Sequence, residues 1–94
     1  MPLFTFTCLD KPASLDLRMA TREGHLAFIR DLGDRVKLGG PFLDDAGRMI
    51  GSLIVVEAED MASAEALSAA DPYVTSGLFE SVEIRQFKVT VGQL

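Results

Sequence analysis

The chain is predicted to fold as an α+β domain, a four-stranded antiparallel sheet with two helices on one face. Three observations lead there. Segments rich in β-branched and aromatic residues alternate with segments of helical period, in the order strand, helix, strand, strand, helix, strand. The two middle strands are separated only by a short acidic turn ending in glycine, which makes them a hairpin. The length, 94 residues, is that of one domain, spanning positions 1–94.

Leu3-Phe-Thr-Phe-Thr-Cys8 is strand-like and stops at Asp10-Lys11-Pro12. From about Ser14 to Arg35 the pattern is helical, with His25, Ile29 and Leu32 recurring at i, i+4 and i+7. Extended backward, that face reaches Arg22 and Arg18. Thr21 and Gly24 are candidates for a break, because glycine costs about 1 kcal/mol relative to alanine inside a helix. The register of Arg22 with His25 is therefore firmer than that of Arg18. Val36–Leu43 reads as an interrupted strand, Asp44-Asp-Ala-Gly47 as the turn, and Met49–Glu57 as a strong strand. Asp60 is placed to cap a short helix of good helix formers running to Ala70. Phe79–Val91 is expected to close the sheet as the last strand.

That order is the ferredoxin-like βαββαβ arrangement. A sheet with helices on one face and water on the other should alternate cleanly between apolar and polar residues. Met49–Glu57 does not: Ile50, Ile54 and Val56 lie on one side, Met49, Leu53 and Val55 on the other. The second face is therefore expected to be covered, and no further segment of these residues is free to cover it. A second copy packing sheet on sheet, as a dimeric α/β barrel, is the simplest solution. A chain of this size buries only about 60–65% of its unfolded surface, so pairing would also add stability it needs.

Composition narrows the function. The net charge is −5, which opposes a phosphate backbone and argues against nucleic acid as a partner. The single cysteine, Cys8, is expected to be a buried free thiol in a reducing compartment. Met-Pro-Leu-Phe-Thr-Phe-Thr at the N-terminus lacks the features of a signal peptide. The longest uncharged apolar run, Met49–Val56, is too short to span a bilayer. A cytoplasmic protein without membrane contact is expected.

His25 is the only histidine, and histidine is the side chain best suited to move protons at neutral pH. Its alternative is a core histidine satisfied by one hydrogen bond, although the adjacent Gly24 suggests close approach by another segment. Asp71, in Asp71-Pro72-Tyr73, is well placed to start a helix as its cap, with proline at the first helical position. The two roles are compatible, since a capping carboxylate can also orient an imidazole, as in a catalytic triad. Arg18 and Arg22 offer the guanidinium fork that suits a carboxylate, or else a solvated helix face, the better expectation for Arg22. Ser52, interrupting an apolar strand, is a candidate substrate donor or a small satisfied core residue. Gly39-Gly40-Pro41 lacks the spacing of a phosphate loop and instead suggests a bulge or close backbone approach at Gly40. No metal-ligand spacing, nucleophile elbow or cofactor fingerprint is present, and no cofactor or metal is expected.

The ordered set Arg18…Arg22-Glu-Gly-His25-Leu, Gly39-Gly40-Pro41…Asp45…Gly47, Gly51-Ser52-Leu53, Asp71-Pro72-Tyr73…Gly77-Leu78-Phe79 and Val82-Glu-Ile84…Phe87 resembles the YCII-related (YciI-like) family over nearly the whole chain. The resemblance implies a ferredoxin-like fold assembled as a dimeric α/β barrel, with a pocket holding a His–Asp pair that falls on His25 and Asp71. Some members of that family are linked to dehydrochlorination of chlorinated hydroxymuconate-type acids, and the barrel is similar to muconolactone isomerases. Two functions are therefore expected. One is a lyase or isomerase acting on a small anionic acid, with His25 moving the proton, Asp71 orienting it, and Arg18, Ser52 and Gly40 binding the acid. The other is a non-catalytic dimer that binds a small molecule.

Overall fold

Along the first strand Phe4, Phe6 and Cys8 alternate with Leu3, Thr5 and Thr7, and this alternation orients the sheet. The structure is a computed structural model describing residues 1–94. Strand β1 spans Leu3–Asp10, helix α1 Leu15–Leu32, strand β2 Val36–Leu43 and strand β3 Met49–Glu57. Helix α2 spans Met61–Ala69, the single turn α3 Pro72–Thr75, and strand β4 Phe79–Phe87. The sheet has four strands in the order β2-β3-β1-β4, every neighbouring pair antiparallel. This is the expected ferredoxin-like α+β topology.

Antiparallel partners share a face, so Phe4 with Val56 and Gln86, and Phe6 with Ile54 and Ile84, lie on one side. There Phe4, Phe6, Cys8, Ile54 and Val56 meet Ala58 and Ala64 to form the core beneath the helices. Burying each large apolar side chain of this set contributes about 1.5–3 kcal/mol. On the other side lie Leu38 and Gly40 of β2, paired with Val55 and Leu53 of β3, and Leu3, Thr5 and Thr7 of β1. None of the helices covers that face, and Leu38 and Leu9 are exposed on it.

Three boundaries differ from the sequence expectation. The long helix ends at Leu32, where Gly33 turns the backbone to φ +58° and one 3₁₀ turn, Gly33–Arg35, leads into β2. The last strand stops at Phe87, which pairs with Leu3; beyond it β1 has no strand residue left to pair. β2 runs unbroken through Gly39-Gly40-Pro41, with irregularities only at its ends. Proline is accommodated because β2 is an edge strand and its missing N–H removes no necessary ladder bond. No helix is long and apolar enough to cross a membrane.

Candidate active site

Helix α1 continues through Thr21 and Gly24, so Arg18 and His25 stand two turns apart on one face, about 10.5 Å along the axis. They are the only two buried residues of α1. Pro72 packs against the helix at Gly24: a Cβ built there would lie 3.6 Å from the Pro72 Cβ, ordinary contact distance. The start of α3 is thus the segment facing this glycine, but it does not come close enough to require one.

Asp71 caps α3. Its backbone is extended, Pro72 occupies the first helical position, and Oδ1 accepts from the Tyr73 N–H at 2.9 Å. The same carboxylate lies 2.8 Å (Oδ1) and 3.0 Å (Oδ2) from His25 Nδ1. Asp71 is only 3% exposed and His25 9%. With a carboxylate as acceptor, Nδ1 is the donor, and the neutral imidazole turns the lone pair of Nε2 away from Asp71; this tautomer is assigned from the network. One side chain is thus both helix cap and imidazole orienter.

A second buried pair lies two turns earlier. Arg18 Nε and Nη2 donate to the two carboxylate oxygens of Asp10 at 2.8 and 2.9 Å, the bidentate geometry favoured by guanidinium. Nη2 also donates to Ser52 Oγ at 2.9 Å. Burial pulls the Arg18 pKa down, but the hydrogen bond and charge of Asp10 outweigh it and leave it above the ordinary arginine value. Tyr73 links the two pairs. Its ring stacks on the His25 imidazole with centroids 4.0 Å apart and planes inclined by 12°. The Arg18 guanidinium carbon lies over the same ring, 4.6 Å from its centroid. Burial raises the Tyr73 hydroxyl above its usual pKa, opposed by the positive charges of Arg18 and Arg22.

Arg18, Arg22, His25, Ser52 and Tyr73 form the polar end of a cleft of about 270 Å³ between α1 and the β2–β3 edge, with Asp10 and Asp71 behind them rather than in its lining. Leu26, Ile29, Val36, Met49 and Ile54 supply its apolar walls, and the backbone of Gly39-Gly40-Pro41 forms its rim. An apolar cavity of about 150 Å³ accepts benzene, so this one has room for a substituted six-membered ring.

All five candidates from the sequence meet at this place. His25 and Asp71 are in direct contact, Arg18 and Ser52 are in direct contact, and Gly40 borders the cleft. Gly40 pairs with Leu53, so a side chain there would project to the opposite face of the sheet; a Cβ would meet nothing within 4 Å. Sequence reasoning missed Asp10 and Tyr73. Asp10 continues the inward set Phe4, Phe6, Cys8, and a carboxylate with that parity requires a cationic partner. Tyr73 is the only tyrosine and follows the capping Asp-Pro directly.

A family model for the YCII-related domain matches residues 3–88. The Escherichia coli O6:H1 protein YciI is 35% identical over 94 residues, covering 92% of this chain and 96% of that protein. An uncharacterized Haemophilus influenzae protein is 35% identical over 88 residues, covering 84% and 89%. Among solved structures, 5-chloro-2-hydroxyhydroquinone dehydrochlorinase (TftG) from Burkholderia phenoliruptrix AC1100, in complex with 2,5-dihydroxybenzoquinone, superposes with a TM-score of 0.85 at 31% identity. It covers 92% of this chain and 93% of that one.

Proposed function

For a chain that belongs to the YCII-related family, we propose a lyase- or isomerase-type activity that moves a proton on a small anionic, unsaturated molecule, with His25 as the group that moves it. The observation that carries this is the Asp71 carboxylate on His25 Nδ1, 2.8 Å away in a buried position. A histidine needed only for packing would be satisfied by any single acceptor. Here the acceptor is an ion held rigidly as a helix cap, and the imidazole borders a cleft large enough for a ring. The similarity to a dehydrochlorinase solved with a six-membered dihydroxyquinone supports a substrate of that size.

In this reading Nε2 takes a proton from a hydroxyl or carbon of the substrate. The electron pair left behind forms a new C=O or C=C bond, and a leaving group such as chloride departs with its bonding pair. The imidazolium, stabilised by Asp71, then returns its proton to water, so the net change is loss of HCl and no oxidant is consumed. In an isomerisation the proton would instead return to a different carbon. Such proton transfer contributes about 10²–10⁴-fold, positioning the remainder. Ser52 and Arg18 form the polar floor under the ring and the Gly40 backbone its edge. A second copy covers the open sheet face.

Chloride release from 5-chloro-2-hydroxyhydroquinone and from chlorinated muconate-type acids tests the proposal. His25→Ala is expected to lower kcat by about 10²–10⁴-fold while the protein stays folded, and His25→Gln should not restore it because glutamine carries no transferable proton. Asp71→Asn should also lower kcat, since asparagine still caps α3 but favours the opposite imidazole tautomer, with the proton on Nε2. Full activity in His25→Ala would overturn the catalytic role. Tight binding without any turnover would leave a ligand-binding dimer as the better description.

A further inference from the structure

We infer that Arg22, rather than Arg18, is the side chain that recognises the negative charge of the ligand in this cleft. The inference rests on the proposed function only in taking this cleft as the ligand site. Two cations line it, Arg18 and Arg22, and none of its lining residues is acidic, in a chain whose net charge is −5. Arg18 is 2% exposed, and its charge is already matched by the bidentate contact to Asp10. Arg22 is different. Its side chain is exposed and makes neither an ion pair nor a hydrogen bond with any protein group. The helix positions that could have supplied a partner, three and four residues away on either side, are Arg18, Met19, His25 and Leu26. The cleft therefore carries one unmatched positive charge.

Its position sets a geometric requirement on the ligand. Residues at i and i+3 of a helix have Cβ atoms about 5–6 Å apart. Arg22 thus stands one turn from His25, on the same stripe, with the apolar side chains of Leu26 and Ile29 continuing it. A ligand bound here places its carboxylate or enolate on Arg22 and, within about the width of one ring, the atom that exchanges its proton at His25. The rest of the ring lies against apolar wall. A neutral ring of equal size would gain the wall contacts and forgo the charge.

Isothermal titration calorimetry at pH 7 tests this without requiring turnover. The probes are 2,5-dihydroxybenzoquinone, whose acidic enol groups make it an anion, and hydroquinone, a neutral ring of the same size. Wild type is expected to prefer the anion, with an affinity that falls as salt is raised. Arg22→Gln should weaken the anion by about ten- to a hundredfold, the loss typical of a charge-assisted hydrogen bond. The same variant should leave hydroquinone unchanged and abolish the salt dependence. Arg22→Lys should keep the preference for the anion at reduced strength, because the charge remains and the fork is lost. The inference is overturned if Arg22→Gln binds the anion as wild type does. It is equally overturned if both probes weaken alike, or if wild type shows no preference for the anion, including no binding of either probe. Anion binding that depends on Arg22 in a protein that neither releases chloride from nor isomerises any of these acids would sustain this assignment and sink the catalytic one.

Discussion

Arg18 sits where a cation survives only because its N–H groups are matched, two by Asp10 and one shared with Ser52. Removing it would strand the Asp10 carboxylate, whose side chain is 5% exposed, without its counter-charge. Truncating one partner of a buried ion pair costs about 3–5 kcal/mol, so Arg18→Ala should lose about that much in urea unfolding. Arg22→Gln, on the surface, should shift stability by no more than about 0.5 kcal/mol. The residue that looks most like a substrate clamp in the sequence is thus part of the frame. Cys8, under the same helices, behaves as an inert thiol. Burial first, and then the negative charge of Asp71, pushes its pKa from 9.0 to about 12. Its folded value is raised, so its contribution to stability is complete below pH 9 and declines as pH rises from there toward 12. Denaturant titrations across that window should show the decline, and Cys8→Ala should lessen it. A thiol reagent at pH 8 should label wild type only after unfolding.

Two glycines separate what a helix tolerates from what a strand crossing demands. Gly24 lies inside α1 at ordinary contact distance from Pro72 and has no positive φ. Gly24→Ala should therefore raise the unfolding free energy by about 0.4–1 kcal/mol, through the restricted unfolded chain and better helix propensity. At Gly51 on β3 the outcome reverses. A Cβ there would fall 2.5 Å from the backbone oxygen of Cys8 and 3.1 Å from a Phe42 ring carbon. Gly51→Ala should cost about 1–3 kcal/mol as the strands move apart, with thermal unfolding of the two variants shifting in opposite directions. Both positions are glycines in the sequence, and propensity alone marks Gly24 as the oddity. The close approach at Gly51 is made by β1, more than forty residues away in the chain, and no local pattern announces it. The short α3 was legible, in contrast, because Asp-Pro carries both its cap and its first residue.

For the molecule as a whole, the helices lie on one face of the sheet and the other remains open, with Leu38 and Leu53 on it and Val55 shielded between neighbours. A face of that composition suits a second sheet better than water. If a second copy covers it, Leu53→Glu should convert a dimer to monomer in sedimentation velocity at micromolar concentration. Thermal stability should fall in the same variant, because so small a domain draws part of its stability from its partner. Wild type sedimenting only as monomer would exclude the sheet-face dimer. The candidate cleft lies on the helix side, so the Leu53→Glu monomer should retain the His25–Asp71 contact.

The strand order, the hairpin, the apolar face of the long helix and the capping of Asp71 were all carried by local pattern. They depend on side-chain period, turn residues and cap chemistry, which act over a few neighbouring positions. His25 and Asp71 could be named as candidates for the same reason, one as the sole histidine on a helix face, the other as a cap before proline. Their contact could not. It required α1 to run unbroken past Gly24 and α3 to fold back beneath it, bringing together groups separated by 46 positions. The division of labour between Arg18 and Arg22 was hidden in the same way. Both are arginines on one helical stripe. Asp10, at the inward end of β1, engages Arg18, and nothing across the cleft from Arg22 carries a negative charge. Charge matching is a property of distance in space, and the sequence records distance only along the chain.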